Sequence, residues 1–247
     1  MSEPRKLRLT VEYDGTDFSG WQRQLEQRTV QATLEDTLFE VIGERTEVRG
    51  AGRTDAGVHA AGQVASLTIS NRIPPHGLLR GMNSLLPSDV ALVDAAEADA
   101  GFDARFSARG KVYRYRIWNH LVRSPLHART SWHCRRALDL EAMREAAATL
   151  RGEHDFRGFR ASDCDRRNTV RVIRGFEIRK EGALIEIDVE GTAFLKNMVR
   201  ILAGTLADVG RGKLTVQSVL RALEQGDRAA GGVTAPAAGL TLLRVIY

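Results

Sequence analysis

The residues with the most chemical potential lie in one small-residue stretch, Arg49-Gly50-Ala51-Gly52-Arg53-Thr54-Asp55-Ala56-Gly57-Val58-His59-Ala60-Ala61-Gly62. Four glycines surround an Arg-Thr-Asp core. Small residues let a backbone turn tightly and let a ligand come close. A carboxylate so presented can act as a nucleophile or a base, and a neighbouring guanidinium keeps it ionised and aimed. The stretch is not a phosphate cradle, because it has neither Gly-Lys-Ser/Thr nor Gly-x-Gly-x-x-Gly. One Asp and one His are not a metal ligand set either. By itself an Arg-x-Asp pair in a loop is more often a structural salt bridge or a turn cap than a catalytic pair. His59, four positions after Asp55, reads as a hydrogen-bonded loop residue rather than an acid or base.

The elements that must carry this loop follow from periodicity. Leu7, Leu9, Val11 and Tyr13 alternate with polar residues and predict a strand. Thr29 caps a helix with Val30, Leu34, Leu38 and Val41 on one face. Residues 46–50 and 62–70 read as strands, the segment after Pro74-Pro75 as a helix, and 90–98 as an edge strand. That gives the β-α-β-β-α-β order of a split βαβ unit. Further on, 111–118 predicts a strand, Asp139 a helix cap, and 172–180 with 183–190 a hairpin turning at Glu181-Gly182. A long helix is expected over 193–209, and another from Thr215 to a stop at Gly226. Ala229–Ala238 reads as a loose Ala/Gly loop, and 240–247 as a last strand. The fold class expected is α+β: two ferredoxin-like halves with antiparallel sheets backed by helices and an active-site cleft between them.

The chain of 247 residues is 43% hydrophobic and 27% charged, which argues against a mainly disordered protein. Its apolar runs are too short for a membrane span, and MSEPRKLRLT reads as a short tail leading into a strand, without a signal or transit pattern. Cys134 and Cys164 are too few for a disulfide framework and wrongly spaced for zinc, so a cytoplasmic protein with reduced thiols is expected. The net charge of +5 is unevenly spread. From Ala104 to Leu138 there are nine basic residues (Arg105, Arg109, Lys111, Arg114, Arg116, Arg123, Arg129, Arg135, Arg136) and no acid, whereas Arg80–Asp103 holds five carboxylates and one Arg. Such segregation favours a phosphate-contacting surface over a merely solvated face. The switch near residue 104 suggests an N-terminal domain over 1–104 carrying the Asp loop and a C-terminal domain over 105–247 carrying the basic stretch. His120, His127 and His133 sit in that stretch with no metal-ligand spacing.

Gly52-Arg53-Thr54-Asp55-Ala56-Gly57-Val58-His59 closely resembles the signature of the tRNA pseudouridine synthase A family. The resemblance runs along nearly the whole chain. Tyr13-Asp14-Gly15-Thr16, Gly20-Trp21-Gln22-Arg23-Gln24 and Thr29-Val30-Gln31 match before the loop. After it come Phe102-Asp103-Ala104-Arg105-Phe106-Ser107-Ala108, Tyr113-Arg114-Tyr115, His154-Asp155-Phe156, Ala193-Phe194-Leu195, Met198-Val199-Arg200 and Gly239-Leu240, in order. Lys196-Asn197 stands where the family often has one or two His, which leaves no His role there.

The resemblance implies isomerisation of uridine to pseudouridine in the anticodon stem-loop of tRNA, at nucleotides 38, 39 and 40. It implies Asp55 as the essential carboxylate, with Arg53, Tyr113, Arg200 and Leu240 as substrate-binding residues. It also implies a homodimer in which one tRNA touches both subunits, and no cofactor or metal. The residue types suit this chemistry. A base inside a helix must be flipped out, a tyrosine gives it a flat face, and an apolar wall excludes water. On the residues alone, Tyr113 and Leu240 would be packing and Arg200 would bridge to an acid. The rival reading is a non-catalytic RNA-binding or chaperone module with the same basic face. An Asp-dependent nucleotide hydrolase is disfavoured by the missing phosphate loop and metal ligands.

Overall fold

The computed structural model describes residues 3–247; Met1 and Ser2, where the N-terminal tail was expected, lie outside the described residues. The chain forms two compact units, one of the residues up to Arg109 together with Leu242–Tyr247, the other of Gly110–Thr241. Sequence order alone leaves 242–247 with the second half, but these residues belong to the first unit.

In the first unit, strand β1 (Arg5–Tyr13) turns Leu7, Leu9, Val11 and Tyr13 inward, as the alternation predicts. It pairs antiparallel with β3 (His59–Ile69) on one side and β4 (Val90–Ala98) on the other. The short β2 (Arg49–Gly50) pairs with β3, and β10 (Leu240–Ile246) follows β3 in the sheet order, leaving β4 at the edge. Helix α1 (Val30–Ile42) begins where the Thr29 side chain accepts the Ala32 amide, and ends at Gly43 with φ 69°. Its Val30, Leu34 and Leu38 are fully buried. Helix α2 (Pro75–Leu85) starts on a proline whose missing N–H costs nothing in the first turn, and it packs on α1 and β4. Cutting Leu34 or Leu38 back to Ala would cost about 2–5 kcal/mol.

The second unit contains β5 (Gly110–Asn119), β6 (Trp132–Cys134), α3 (Leu140–Ala148), β7 (Gly152–Asp155), β8 (Val170–Glu181), β9 (Leu184–Gly191), α4 (Met198–Gly210) and α5 (Val216–Glu224). The sheet order is β5-β9-β8-β7, antiparallel, while β6 runs parallel to β5, so the architecture is α+β with a mixed sheet. Asp139 caps α3 by accepting two amides, and Thr215 with Ser218 forms a capping box on α5. The β8–β9 hairpin turns at Gly182 with φ 56°.

Four expectations need correction. The strand expected over 46–50 reduces to Arg49–Gly50, and the one expected from 62 begins at His59. The long helix begins at Met198 rather than near 193, because Asn197 takes a left-handed φ of 59° and breaks the run. The Ala/Gly segment 229–238 is not loose: Gly232 donates its amide to Thr205 Oγ1 on α4 at 2.9 Å, and Pro236 accepts the Tyr115 hydroxyl at 2.8 Å. Among the described residues no helix is long and apolar enough to cross a membrane.

Candidate active site and nucleic-acid interface

The Asp55 loop lies between β2 and β3, and the chain around β1 clamps its backbone. Thr54 O accepts the Trp21 amide at 3.0 Å, Thr54 Oγ1 meets the Tyr13 hydroxyl at 2.8 Å, and Phe18 O accepts the Gly57 amide at 3.3 Å. Gln63 Nε2 donates to Gly52 O at 2.8 Å from the β3 side. The contacts are too close for side chains at two points: a Cβ on Gly15 would lie 2.0 Å from Val58 O, and one on Gly20, whose φ is +93°, would lie 2.7 Å from Thr54 O. Burial pushes the Tyr13 phenol up to about 12, against the pull of its hydrogen bonds to Thr54 and Gln63, so it stays protonated beside the loop at neutral pH. Within this clamp Asp55 is half-buried, its backbone carbonyl accepting the Val58 amide at 3.1 Å, and Arg53 is exposed. His59 is buried; its Nδ1 accepts the Gly15 amide at 3.0 Å and lies 3.1 Å from Asp14, so it is hydrogen-bonded as expected, but as the first residue of β3 rather than a loop residue.

In the second unit Tyr113 is buried on β5 and meets Phe194 edge-on, ring centres 5.2 Å apart at 84°. Arg200 sits half-buried in the first turn of α4, its Nε donating to Ala235 O at 2.8 Å and its Nη1 to Asn197 Oδ1 at 3.0 Å. The Ala235 amide returns a bond to Arg200 O at 3.1 Å, so this arginine and the 231–239 segment hold each other. That segment delivers Leu240, buried at the start of β10, just after Gly239 packs on the Tyr115 ring. Tyr115 anchors the group, its hydroxyl on Pro236 O and its pKa raised by burial.

The basic stretch is less uniform than its composition. Arg114 makes a two-pronged pair with Asp188, both bonds 2.8 Å, and also reaches Glu186 at 3.2 Å; Arg116 reaches Glu186 at 2.9 Å. These two of the nine are neutralised within the second unit and drop out of the expected phosphate surface. Arg123, Arg135 and Arg136 are exposed, and among the described residues no carboxylate lies within ion-pair distance of them. Around them Trp118 stacks on His127, ring centres 4.7 Å apart at 21°, and His133 Nε2 lies 2.8 Å from His120 O. Among the described residues no group of three or more His, Cys, Asp or Glu is placed to hold a metal ion.

A family model described as tRNA pseudouridine synthase matches residues 9–107 and 146–247. A protein of Geotalea uraniireducens named tRNA pseudouridine synthase A is 49% identical over 98% of this chain and 100% of its own. The chain belongs to the tRNA pseudouridine synthase family. Two further relatives bearing the same name, from Pelobacter propionicus and Myxococcus xanthus, are 51% and 48% identical over 98% of this chain, covering 100% and 92% of theirs. This family is one of isomerases.

Within that family frame, the motifs before the Asp loop acquire a physical purpose here. Tyr13, Gly15, Gly20 and Trp21 are the contacts that hold 54–58 in place. Sequence reasoning missed Phe194 as the ring facing Tyr113, and Asp188 and Glu186 as the partners of Arg114 and Arg116. The second omission had a signal: Arg114 and Arg116 on β5 and Glu186 and Asp188 on β9 all alternate with buried residues, so antiparallel pairing sets opposite charges face to face.

Proposed function

We propose that this chain isomerises uridine to pseudouridine in the anticodon stem-loop of tRNA, at positions 38, 39 and 40, with Asp55 as the catalytic carboxylate. The observation that carries the reading is the clamped loop: a half-buried carboxylate on a backbone fixed by Tyr13, Trp21, Phe18 and Gln63. A fixed carboxylate meets a flipped-out base without further ordering, which is how positioning lowers a barrier. In the reaction the bond from ribose C1′ to uracil N1 breaks and one from C1′ to C5 forms. The C5 proton leaves and N1 gains one.

Arg53, exposed on the same loop, supports the displaced strand or a phosphate. Tyr113 offers its ring to the extruded uracil, backed edge-on by Phe194. Arg200 favours the ionised carboxylate, and Leu240 completes an apolar wall. The two units are read as split β-α-β halves, the first supplying Asp55 and Arg53, the second Tyr113, Arg200 and Leu240. The protein is further proposed to work in the cytoplasm as a homodimer with one tRNA touching both subunits.

The rival, a non-catalytic RNA-binding module, needs no acid on a clamped loop. Tritium release from C5 of labelled uridine in tRNA separates the two. Release above the protein-free rate is expected, and binding of tRNA with no release would establish the rival. Sedimentation at low concentration tests the assembly, and a sole 27.3 kDa species would overturn the dimer.

A further inference from the structure

The segment from Arg160 to Arg171, a loop after β7 that runs into the first residues of β8, plays no part in the reaction described above. Six arginines fall between 157 and 174, namely Arg157, Arg160, Arg166, Arg167, Arg171 and Arg174, against two acids, Asp163 and Asp165. Arg157 is satisfied by Asp155 at 2.7 Å, and Asp163 is taken by Lys196 at 2.5 Å. Arg160, Arg166 and Arg171 lie near one another without a counter-charge. Arg160 Nη1 donates to Arg166 O at 3.0 Å, and Arg171 Nη1 donates to Asn168 O and Val170 O at 3.1 and 2.6 Å. Arg171 Nε is buried and has no hydrogen-bond partner. Among the described residues no carboxylate lies within ion-pair distance of Arg160, Arg166 or Arg171.

Burial pushes the Arg171 pKa down, and the nearby positive charge of Arg166 adds to the fall. The loop is nonetheless well tied. Cys164 is buried, with its amide on Ala161 O at 3.0 Å, the Ala161 amide is on Lys196 O at 3.1 Å, and Asn168 Oδ1 accepts the Val170 amide at 2.9 Å. A well-tied loop that holds cations together without a carboxylate suits an anion, and guanidinium forks match phosphate oxygens.

We propose that Arg160, Arg166 and Arg171 form a phosphate-binding site that grips the tRNA backbone. It lies outside the 104–138 stretch and positions the RNA without reading its bases. The inference rests on tRNA being the substrate. The test uses the full-length protein with Arg166→Gln, Arg166→Lys and the double variant Arg166→Gln/Arg171→Gln. Arg179→Gln on β8, whose arginine is already paired with Asp188 at 2.7 Å, is the control. tRNA affinity is measured across a salt series, together with KM and kcat for pseudouridine formation.

Each lost phosphate contact should make the slope of log affinity against log salt shallower by about one unit. The expected results are one unit for Arg166→Gln, two for the double variant, and none for Arg166→Lys or the control, with KM raised and kcat kept. An unchanged slope in the double variant, or a fall in kcat alone, overturns the site while wild-type turnover leaves the function standing. Wild-type protein that neither modifies nor binds tRNA removes the function and the site together.

Discussion

Thr54 is the residue on which the geometry of the Asp55 loop turns. Its carbonyl accepts the Trp21 amide and its hydroxyl meets Tyr13, so its backbone and its side chain are both held. Tyr13→Phe leaves the buried Thr54 hydroxyl without this partner, and a buried hydroxyl so stranded costs about 1–3 kcal/mol. Thermal unfolding should show that loss, and pseudouridine formation should fall in kcat while tRNA affinity stays near wild type. The phenol also carries a pH signature. Its pKa rises from about 10 in the unfolded chain to about 12 in the folded one, so its contribution is complete below pH 10 and is lost as the pH climbs through 12. Unfolding measured from pH 9 to 12 should lose part of its slope in Tyr13→Phe.

At the scale of elements, the legible parts were those whose signals are local. Thr29, Asp139 and Thr215 cap the helices they were expected to cap, because an N-cap is written in one side chain and the next three amides. The start of α4 was not legible: Phe194, Leu195 and Met198 continue an apolar helical spacing, and only the backbone shows Asn197 in the left-handed region. The Asp55 loop stood out by composition, but its clamp did not, since the bonds from Trp21 to Thr54 and from Gln63 to Gly52 join distant positions. Gly20 tests the clamp as a unit. Gly20→Ala adds a methyl group 2.7 Å from Thr54 O at φ +93°, so it should destabilise the first unit by about 1–3 kcal/mol and depress kcat. Denaturant midpoints alongside turnover check this, and a variant as stable and active as wild type would show that the loop does not need the clamp.

Over the whole molecule, the net charge of +5 conceals which cations are available to a polyanion. Arg114 and Arg116 are committed to Asp188 and Glu186, a pairing that needs the register of β5 against β9 and so escapes a reading of composition. Arg123, Arg135 and Arg136 face solvent, so Arg123→Gln, Arg135→Gln and Arg136→Gln should each weaken tRNA binding and flatten its salt dependence by about one unit where they meet a phosphate. Arg114→Gln should instead leave that slope unchanged and cost only about 1 kcal/mol of stability, because Glu186 keeps Arg116 and Asp188 keeps Arg179 as a partner. All of these effects modulate one chemical act assigned to one carboxylate. The most direct test is to incubate bulk tRNA with wild-type and Asp55→Asn protein and map pseudouridine by sequencing. Wild type should convert anticodon stem-loop uridines, while Asp55→Asn should bind tRNA and convert none; conversion by Asp55→Asn at the wild-type rate would contradict the assignment.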